Sequence, residues 1–338
     1  MTAPLFVLHL DADDVEPCVT TLLAVEHGTQ VSISLRELKT LVNTSHPEEI
    51  LHEMLSDLTD RTDPPPDTLT REGVDLWFRR NWIPSICHHS VAARFEGADS
   101  SDHSMQIRKS VISRYETNGP LPARYTSLSR KILLPQPIKE DDEFLIDSME
   151  RRRTIRAFRT FDISPQLISN VLWNGLKLVR DTRRAATNHP MGILHSFGVG
   201  CEIFCVIHSA TGVAEGAYHY DVEDHSLALV RSAVSRKWIW KVLNYQRAPL
   251  TAAITIFLVL DFAQAQWRYR HERALTNQFM DIGRVAQRII LSGEHLDLGS
   301  FMSPALMDSS VRRIFRLNLE RYYPVHAICL GQNPRRTK

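Results

Sequence analysis

The stretch EIFCVIHSATGVAEGAYHYDVEDHSLALV, residues 202–230, decides the fold class. Its first eight residues form a nearly unbroken apolar run, which predicts a buried strand. The following AEGAYHYDVEDHSLALV, residues 214–230, predicts two strands joined by an acidic turn. We expect His219 and His225, which flank that turn, at the surface or on a strand.

Further strands and helices lie on both sides of this stretch. TAAITIFLVL (251–260) and VHAICLG (325–331) predict two more buried strands. SPQLISNVLWNGLKLV (164–179) predicts a helix with a serine cap, and residues 267–296 predict a long helical region. Because strands and helices interleave without regular alternation, the sequence favours an α+β domain over a doubly wound sheet. The apolar faces predicted for the two helices are Leu167, Ile168, Val171, Leu172 and Leu176, and Phe279, Ile282, Ala286, Ile289 and Ile290.

Proline-rich stretches divide the chain. Residues 60–70 carry three consecutive prolines, and residues 116–143 are polar, proline-rich and aperiodic. We therefore expect an N-terminal module at 1–125, a linker at 126–140 and a larger domain at 141–338. Mixed strand and helix patterns in the module suit a small α/β fold of winged-helix-like or clamp-like type.

Composition limits the classes of function. Lys and Arg number 40 and Asp and Glu 39, so a net charge of +1 gives no global attraction to nucleic acid or to an anionic membrane. The most apolar later run, residues 250–261, is short of the roughly 20 residues that span a bilayer. Five scattered cysteines are typical of free thiols in a reducing cytosol, and MTAPLFVLHLDADD (1–14) predicts a strand rather than an export signal. We expect a cytoplasmic protein.

Several common catalytic signatures are missing. GVGCEIF offers Gly198 and Gly200 without a third glycine and ahead of a strand, which favours a tight turn over a dinucleotide site. The sequence has no G-x-S-x-G elbow. His88 and His89 are adjacent but lack partners at ligand spacing, so we expect no metal site.

The segment ERRRTIRAF, residues 150–158, concentrates charge locally. Arg151, Arg152, Arg153 and Arg156 stand within six positions of an otherwise neutral chain. A solvated basic helix end is one explanation of such a run. The other is an anion site, because arginine forks, a threonine hydroxyl and backbone N–H groups suit a phosphate monoester.

RRRTIRAF resembles the RRSxRxF segment of the nitroreductase-like FMN oxidoreductases. Residues 202–230 are similar to the E-x-Y-V-V and G-x-Y-x-Y-D patterns of their SagB-type dehydrogenase branch. The likeness continues through residues 280–315 and CLGQ (329–332), and WFRRNWIPSICHHSVAARF (77–95) resembles the stretch that precedes that domain. The resemblance implies a mainly antiparallel sheet flanked by helices that binds FMN.

The resemblance also implies positions for the cofactor. The flavin phosphate is expected at Arg152, Arg153, Thr154 and Arg156. Arg335 and Arg336, just after the closing strand, are expected to add charge there. Backbone groups of Leu298, Gly299 and Ser300 are expected near the reactive edge of the flavin.

A Lys-Tyr pair linked to the chemistry of this branch corresponds to Arg268 and Tyr269 here. With a pKa above about 12, arginine is a poor general base, although it can orient a substrate or stabilise negative charge. Tyr269 is then the first candidate for proton transfer, and an ordinary core or interface tyrosine is the alternative. The loop at 186–204 is longer than in the branch and lacks its serine, and Gly283-Arg284 replaces a Gly-His.

The reaction implied is oxidation of a thiazoline or oxazoline in a peptide to the azole, with hydride passing to flavin N5. Dioxygen is the simplest reoxidant, since no nicotinamide fingerprint is visible. A homodimer is implied, with a cyclodehydratase or carrier protein as a further partner. The alternatives are another FMN-dependent tailoring oxidase, an NAD(P)H-dependent nitroreductase, or a flavin-free peptide-binding scaffold.

Overall fold

The computed structural model describes strand backbones at 5–9, 18–22 and 30–34, and residues 109–110, 113, 120–126, 129–137, 145–188, 194–269, 273–318 and 321–335. The chain divides into two compact units, Met1–Ser101 and Asp102–Lys338. Within the described ranges, every helix is too short or too polar to cross a bilayer.

The first unit contains a three-stranded antiparallel sheet. Its strands are β1 (Leu5–His9), β2 (Cys18–Leu22) and β3 (Gln30–Ser34), in the order β1-β2-β3. The strand predicted near the start of the chain is therefore confirmed. The winged-helix prediction, residues 77–95, and His88 and His89 lie outside the described residues.

The second unit contains a seven-stranded sheet in which every pairing is antiparallel. Its spatial order is β4-β7-β6-β5-β8-β10-β9. The strands are β4 (Lys131–Leu133), β5 (Cys201–Ile207), β6 (Gly216–Asp221), β7 (Ser226–Ser232), β8 (Ile254–Asp261), β9 (Leu298–Ser303) and β10 (Tyr322–Gln332). The predicted buried strand, hairpin and two later strands are all confirmed, and the domain is α+β.

Helices cover both faces of this sheet. They are α1 (Leu145–Arg151), α2 (Pro165–Gly175), α3 (Lys177–Asn188), α4 (Arg236–Val242), α5 (Phe262–Arg268), α6 (Arg273–His295) and α7 (Asp308–Phe315). Ser164 caps α2 as predicted, since its hydroxyl accepts from Leu167 N at 3.2 Å. The region predicted as one long helix is two helices, because Tyr269 leaves α5 in an extended conformation (φ −124°, ψ 111°).

The alternation of β5 builds two cores. Ile203 and Cys205 point toward α2 and α6, whereas Phe204 and Val206 point toward α4 and α7. The predicted tight turn precedes β5, with Gly198 at a φ of 60°. Cys201, Cys205 and Cys329 are buried free thiols, as predicted. Two features position the site described next: β9 is an edge strand, and α6 leads directly into it.

Candidate functional site

The arginine-rich segment begins where α1 ends. α1 closes at Arg151, and its last carbonyls need donors because a helix leaves its final C=O groups unpaired. Arg153 Nη1 supplies them, donating to Glu150 O at 2.6 Å and to Arg152 O at 2.9 Å. The guanidinium of Arg153 therefore also serves as a cap for α1.

Beyond α1 the chain runs along the outer edge of β9. Ile155 N donates to Ser300 O at 2.8 Å, and Thr154 forms a parallel bridge with Ser300. Ile155 and Phe158 are buried, while Thr154 and Arg156 are exposed. The apolar side chains thus fix the segment to the sheet and leave its polar side chains at the surface.

Two glycines permit this close approach. A Cβ on Gly331 would lie 2.8 Å from the Phe158 ring, and one on Gly299 would lie 3.1 Å from Ile155 Cγ1. Phe158 N also donates to Thr251 Oγ1 at 2.9 Å. The glycines of β9 and β10 therefore allow the arginine segment to pack directly against the sheet.

The end of β10 reaches the same place. Arg159 N donates to Gln332 O at 3.2 Å, which joins the arginine segment to the last residue of β10. Three residues later Arg335 is exposed, in a turn where its N–H donates to Asn333 Oδ1 at 3.0 Å. Arg336 lies outside the described residues.

The structure thus brings together three groups that the sequence predicted as cofactor-binding. They are the segment of Arg152, Arg153, Thr154 and Arg156; the strand residues Leu298, Gly299 and Ser300; and Arg335. Leu298 and Ser300 are buried, at 3% and 1% exposure, so what this strand offers a ligand is chiefly backbone. Within the described part of the chain, these arginines make no ion pair with a carboxylate.

This donor set fits a phosphate monoester. Arg156 lies beside β9, its Cζ 5.8 Å from the centre of the Phe301 ring, and Thr154 adds a hydroxyl. Guanidinium forks and a hydroxyl are the groups that commonly hold phosphate oxygens. Among the described residues, His, Cys, Asp and Glu form no cluster able to hold a metal ion.

Arg268 and Tyr269 lie at the other end of the sheet. Ser300 pairs with Leu330, which pairs with Ile254 at the start of β8, whereas α5 follows Asp261 at the end of β8. Ile254 and Asp261 are seven residues apart on β8, which corresponds to roughly 23 Å at about 3.3 Å per residue. Within one chain, the structure does not bring Arg268 and Tyr269 to the arginine segment.

A buried charged cluster, which the sequence did not reveal, lies at that far end. Glu202 Oε1 is 3.0 Å from Arg183 Nη2, and Glu202 Oε2 is 3.1 Å from His219 Nε2. Arg124 Nη1 is 3.5 Å from the same carboxylate and donates to Val199 O at 3.0 Å. The cluster therefore ties the segment at 120–126 to β5.

Both histidines of the hairpin are buried. His219 is on a strand, one of the two positions expected, whereas His225 is neither on a strand nor at the surface. His219 stands on β6 at 4% exposure, and His225 occupies the turn at 6% with a φ of 52°. His225 Nδ1 lies 2.6 Å from Tyr220 Oη, and its Nε2 lies 2.8 Å from Ser169 Oγ. Because Ser169 Oγ donates to Pro135 O at 2.6 Å, this network fastens the segment after β4.

The chain belongs to the nitroreductase family, whose model matches residues 149–332. The matched range contains Arg152 to Arg156, Leu298 to Ser300 and the seven-stranded sheet except β4. Members of this family typically bind FMN, and membership indicates an oxidoreductase.

Curated relatives and a solved structure extend this result. The chain is 21% identical over 272 residues to the trifolitoxin operon protein TfxC of Rhizobium leguminosarum bv. trifolii, covering 77% of this chain and 75% of that protein. It is 24% identical over 189 residues to the putative nitroreductase MJ1384 of Methanocaldococcus jannaschii, covering 56% and 90%. A crystal structure of a putative nitroreductase from Anabaena variabilis aligns with a TM-score of 0.51 at 19% identity, covering 65% of this chain. The chain spans 46% of the length of that protein, so the likeness supports the fold alone.

Proposed function

We propose that this protein is an FMN-dependent dehydrogenase that oxidises a thiazoline or oxazoline ring in a peptide to the aromatic azole. The observation that carries the proposal is the hydrogen bond from Ile155 N to Ser300 O, because it sets the arginines beside the backbone of β9. Arg152, Arg153, Thr154 and Arg156, with Arg335 and Arg336, hold the phosphate in this proposal. The likeness to a trifolitoxin operon protein supports a role in tailoring a natural product.

When bound at these residues, FMN would supply the two-electron acceptor for the hydride that leaves the azoline ring. The protein then has three tasks: to position the ring, to receive the neighbouring proton, and to direct N–H donors at the flavin edge. Leu298, Gly299 and Ser300 provide the backbone for the last task. Tyr269 receives the proton, and Arg268 orients the ring or stabilises developing negative charge, because a guanidinium cannot act as a base near neutral pH.

The distance between the two groups of residues leads us to propose a shared site in a homodimer. The 23-residue helix α6 separates Tyr269 from Leu298 and is about 34 Å long at 1.5 Å per residue. Tyr269 therefore lies a strand length from the arginines of its own chain. In our proposal, Arg268 and Tyr269 of one protomer serve the flavin that the other protomer holds.

We further propose that residues 1–125 form a separate module, joined to the domain at 141–338 by a linker at 126–140 that also contributes β4 to the sheet of that domain. The module grips the peptide or a partner enzyme such as a cyclodehydratase or a carrier protein, in a cytoplasmic biosynthetic complex. Removing residues 1–125 would not test this cleanly, because Arg124 and Tyr125 contact Glu202 and Phe204 of the sheet. Truncation before residue 120 is the better experiment.

The function is tested by the visible spectrum of the purified protein, followed by anaerobic mixing with a thiazoline-bearing peptide. We expect a yellow protein whose flavin absorbance bleaches with that peptide, and a product that has lost two hydrogen atoms per ring. The matched thiazole peptide should cause no bleaching. Bleaching by NADPH without any peptide would instead favour a nitroreductase. A colourless protein that stays so after FMN is added would contradict every flavin enzyme and support a peptide-binding scaffold.

The phosphate assignment has its own test. Arg152→Ala combined with Arg156→Ala should leave the purified protein without FMN, because two charge-assisted donors are removed. The matched control is Arg184→Ala with Arg247→Ala, two exposed arginines on α3 and ahead of the 3-10 turn Ala248–Leu250. Full FMN occupancy in the first pair, measured by flavin released on denaturation, would refute the assignment.

A further inference from the structure

The site carries more positive charge than one phosphate requires. Six arginines, hereafter the arginine row, lie along the segment after α1 and the end of β10. All are exposed except Arg152, which is half-buried. The members of the row are Arg151, Arg152, Arg153, Arg156, Arg159 and Arg335.

These arginines differ in their partners from three arginines elsewhere in the same domain. Arg183 and Arg321 pair with Glu202 and Asp261 at 3.0 Å and 2.7 Å, and Arg180 stacks over Trp173 at 3.5 Å. In the described ranges, by contrast, no carboxylate lies within ion-pair distance of the row.

Two described acids near the row in sequence do not neutralise it. Asp162 Oδ1 accepts from Ser209 Oγ, and the exposed Glu150 makes no ion pair with any described arginine. Among the described residues, the charge of the row is therefore not balanced by a carboxylate.

The row is also longer than a phosphate. Thr154 bridges Ser300 on β9 and Arg159 bridges Gln332 at the end of β10, so the row extends across two neighbouring strands, which lie about 4.8 Å apart. A phosphate monoester carries a charge of about −2 and meets two or three guanidinium forks. The proposed phosphate site takes four arginines of the row, so Arg151 and Arg159 remain, and a surplus of one sign attracts an extended polyanion.

The local backbone favours an acidic peptide over a dinucleotide as this polyanion. A pyrophosphate is typically seated on a helix N-terminus, with its N–H groups and positive dipole end. Here α1 presents its carboxyl end, and Arg153 donates to the carbonyls of that end. Spaced, exposed guanidinium groups suit instead the separated carboxylates of an extended chain.

We infer that the arginine row binds an acidic segment of the peptide substrate, with Arg151 and Arg159 as the residues dedicated to it. This inference rests on the proposed function, since FMN is taken to engage Arg152, Arg153, Arg156 and Arg335 of the row. A peptide held along the row lies next to Ser300 and β9, where the flavin edge is proposed. Binding through the row therefore delivers the ring of the substrate to the flavin.

The test measures binding of a fluorescein-labelled synthetic peptide of alternating Glu and Gly, by fluorescence polarisation at low salt. Arg151→Glu with Arg159→Glu should weaken binding by about tenfold or more, because both charges are reversed at the site. Arg130→Glu with Arg184→Glu changes the net charge equally at exposed positions, the first of them just before β4 at the opposite edge of the sheet from β9, and should weaken binding by no more than about twofold. The milder pair Arg151→Gln with Arg159→Gln should fall between them, and it guards against misfolding of the reversed pair. FMN content should be unchanged in all three.

The outcomes separate this inference from the proposed function. Equal loss in the two Glu pairs, absence of probe binding to the wild type, or binding of NADPH in place of the probe would overturn the inference. A flavin-containing protein that does not bind the probe would support the FMN proposal and contradict this inference. A flavin-free protein that binds the probe through Arg151 and Arg159 supports the inference and contradicts the FMN proposal.

Discussion

Glu202 on β5 and Arg183 on α3 form an ion pair in the interior of the domain, with 3.0 Å between Oε1 and Nη2. Their side chains are 0% and 3% exposed. Burial opposes ionisation of the carboxyl, but the charge of Arg183 and the contact with His219 outweigh it and lower the pKa of Glu202 to about 2. Because the pKa of Glu202 is lower in the folded chain, its ionised carboxylate stabilises the folded state. This stabilisation is fully present above pH 4.5, the ordinary pKa of a glutamate, and is lost as the pH falls toward 2.

Glu202→Gln should therefore destabilise the domain strongly at pH 7. The amide keeps the shape of the carboxylate but leaves Arg183 and Arg124 without their counter-charge in the interior. Removing one partner of a buried pair costs about 3–5 kcal/mol. Urea unfolding measures this loss, and Glu215→Gln, at an exposed position, should change stability by less than about 0.5 kcal/mol. A loss below about 1 kcal/mol for Glu202→Gln would mean that the cluster is not a net source of stability.

His208 should give the domain a second, milder pH dependence. Its Nε2 lies 2.9 Å from Thr255 Oγ1, and its Nδ1 is buried without a hydrogen-bond partner among the described residues. Burial, with a smaller contribution from Arg236, lowers the pKa of His208 from 6.5 to about 3. Below pH 6.5 the unfolded chain therefore binds a proton at His208 that the folded chain does not bind. The contribution of His208 to the free energy of unfolding is fully present above pH 6.5 and decreases as the pH falls toward 3.

Between pH 7 and pH 4.5 this histidine should remove about 2.5 kcal/mol of stability. His208→Gln keeps an acceptor for Thr255 but cannot titrate. The pH slope of the unfolding free energy should therefore be flatter in the variant by that amount, while every other histidine contributes equally to both proteins. Parallel slopes for the two proteins would show that His208 is not held neutral.

Gly331→Ala should displace the arginine segment from the sheet. The new methyl group would lie 2.8 Å from the Phe158 ring, so the ring and the attached backbone must move. Overpacking of this kind costs about 1–3 kcal/mol, and FMN binding should weaken with it. In a Phe158→Ala background, which lacks the clashing Cγ and Cδ1 atoms, Gly331→Ala should cost less stability than it does in the wild type.

Gly283→Ala is the matched control for that substitution. Gly283 lies within α6, and a Cβ added there would meet no described residue within 4 Å apart from the backbone of its own helix. Alanine should therefore stabilise the helix by about 1 kcal/mol. If Gly331→Ala retained wild-type FMN affinity and stability, the packing of Phe158 on Gly331 would not position the segment.

Local patterns predicted the elements of the domain but not their long-range polar contacts. The strands and the Ser164 cap follow from apolar runs and from capping chemistry, which act over a few residues. Glu202 stands in an otherwise apolar strand, and its partners Arg183 and His219 are 19 and 17 positions away. A charge inside an apolar run was the available signal, since a buried charge requires a partner.

In the candidate site, too, some residues could be predicted from local sequence and others depend on long-range contacts. The resemblance of RRRTIRAF to a flavin-binding segment led to the arginines, and a parallel bridge places Ser300 beside Thr154. Arg159 was missed because its neighbour, Gln332, lies at the far end of the chain and no local spacing joins them. The separation of Tyr269 from the arginines could not be predicted either, because it depends on which end of β8 carries α5.

That separation leads to a prediction about mixed dimers. A protomer with Arg152→Ala and Arg156→Ala lacks a phosphate site, and a protomer with Tyr269→Phe lacks the proton acceptor. If Tyr269 acts across the dimer, a mixed dimer has one site with intact arginines from the second protomer and an intact Tyr269 from the first. Each variant alone should be inactive toward the thiazoline peptide, and the mixed dimer, purified with two different tags, should recover about half of the wild-type activity per dimer because one of its two sites is complete. Were Tyr269 to act within its own chain, both sites of the mixed dimer would be incomplete and no activity would return.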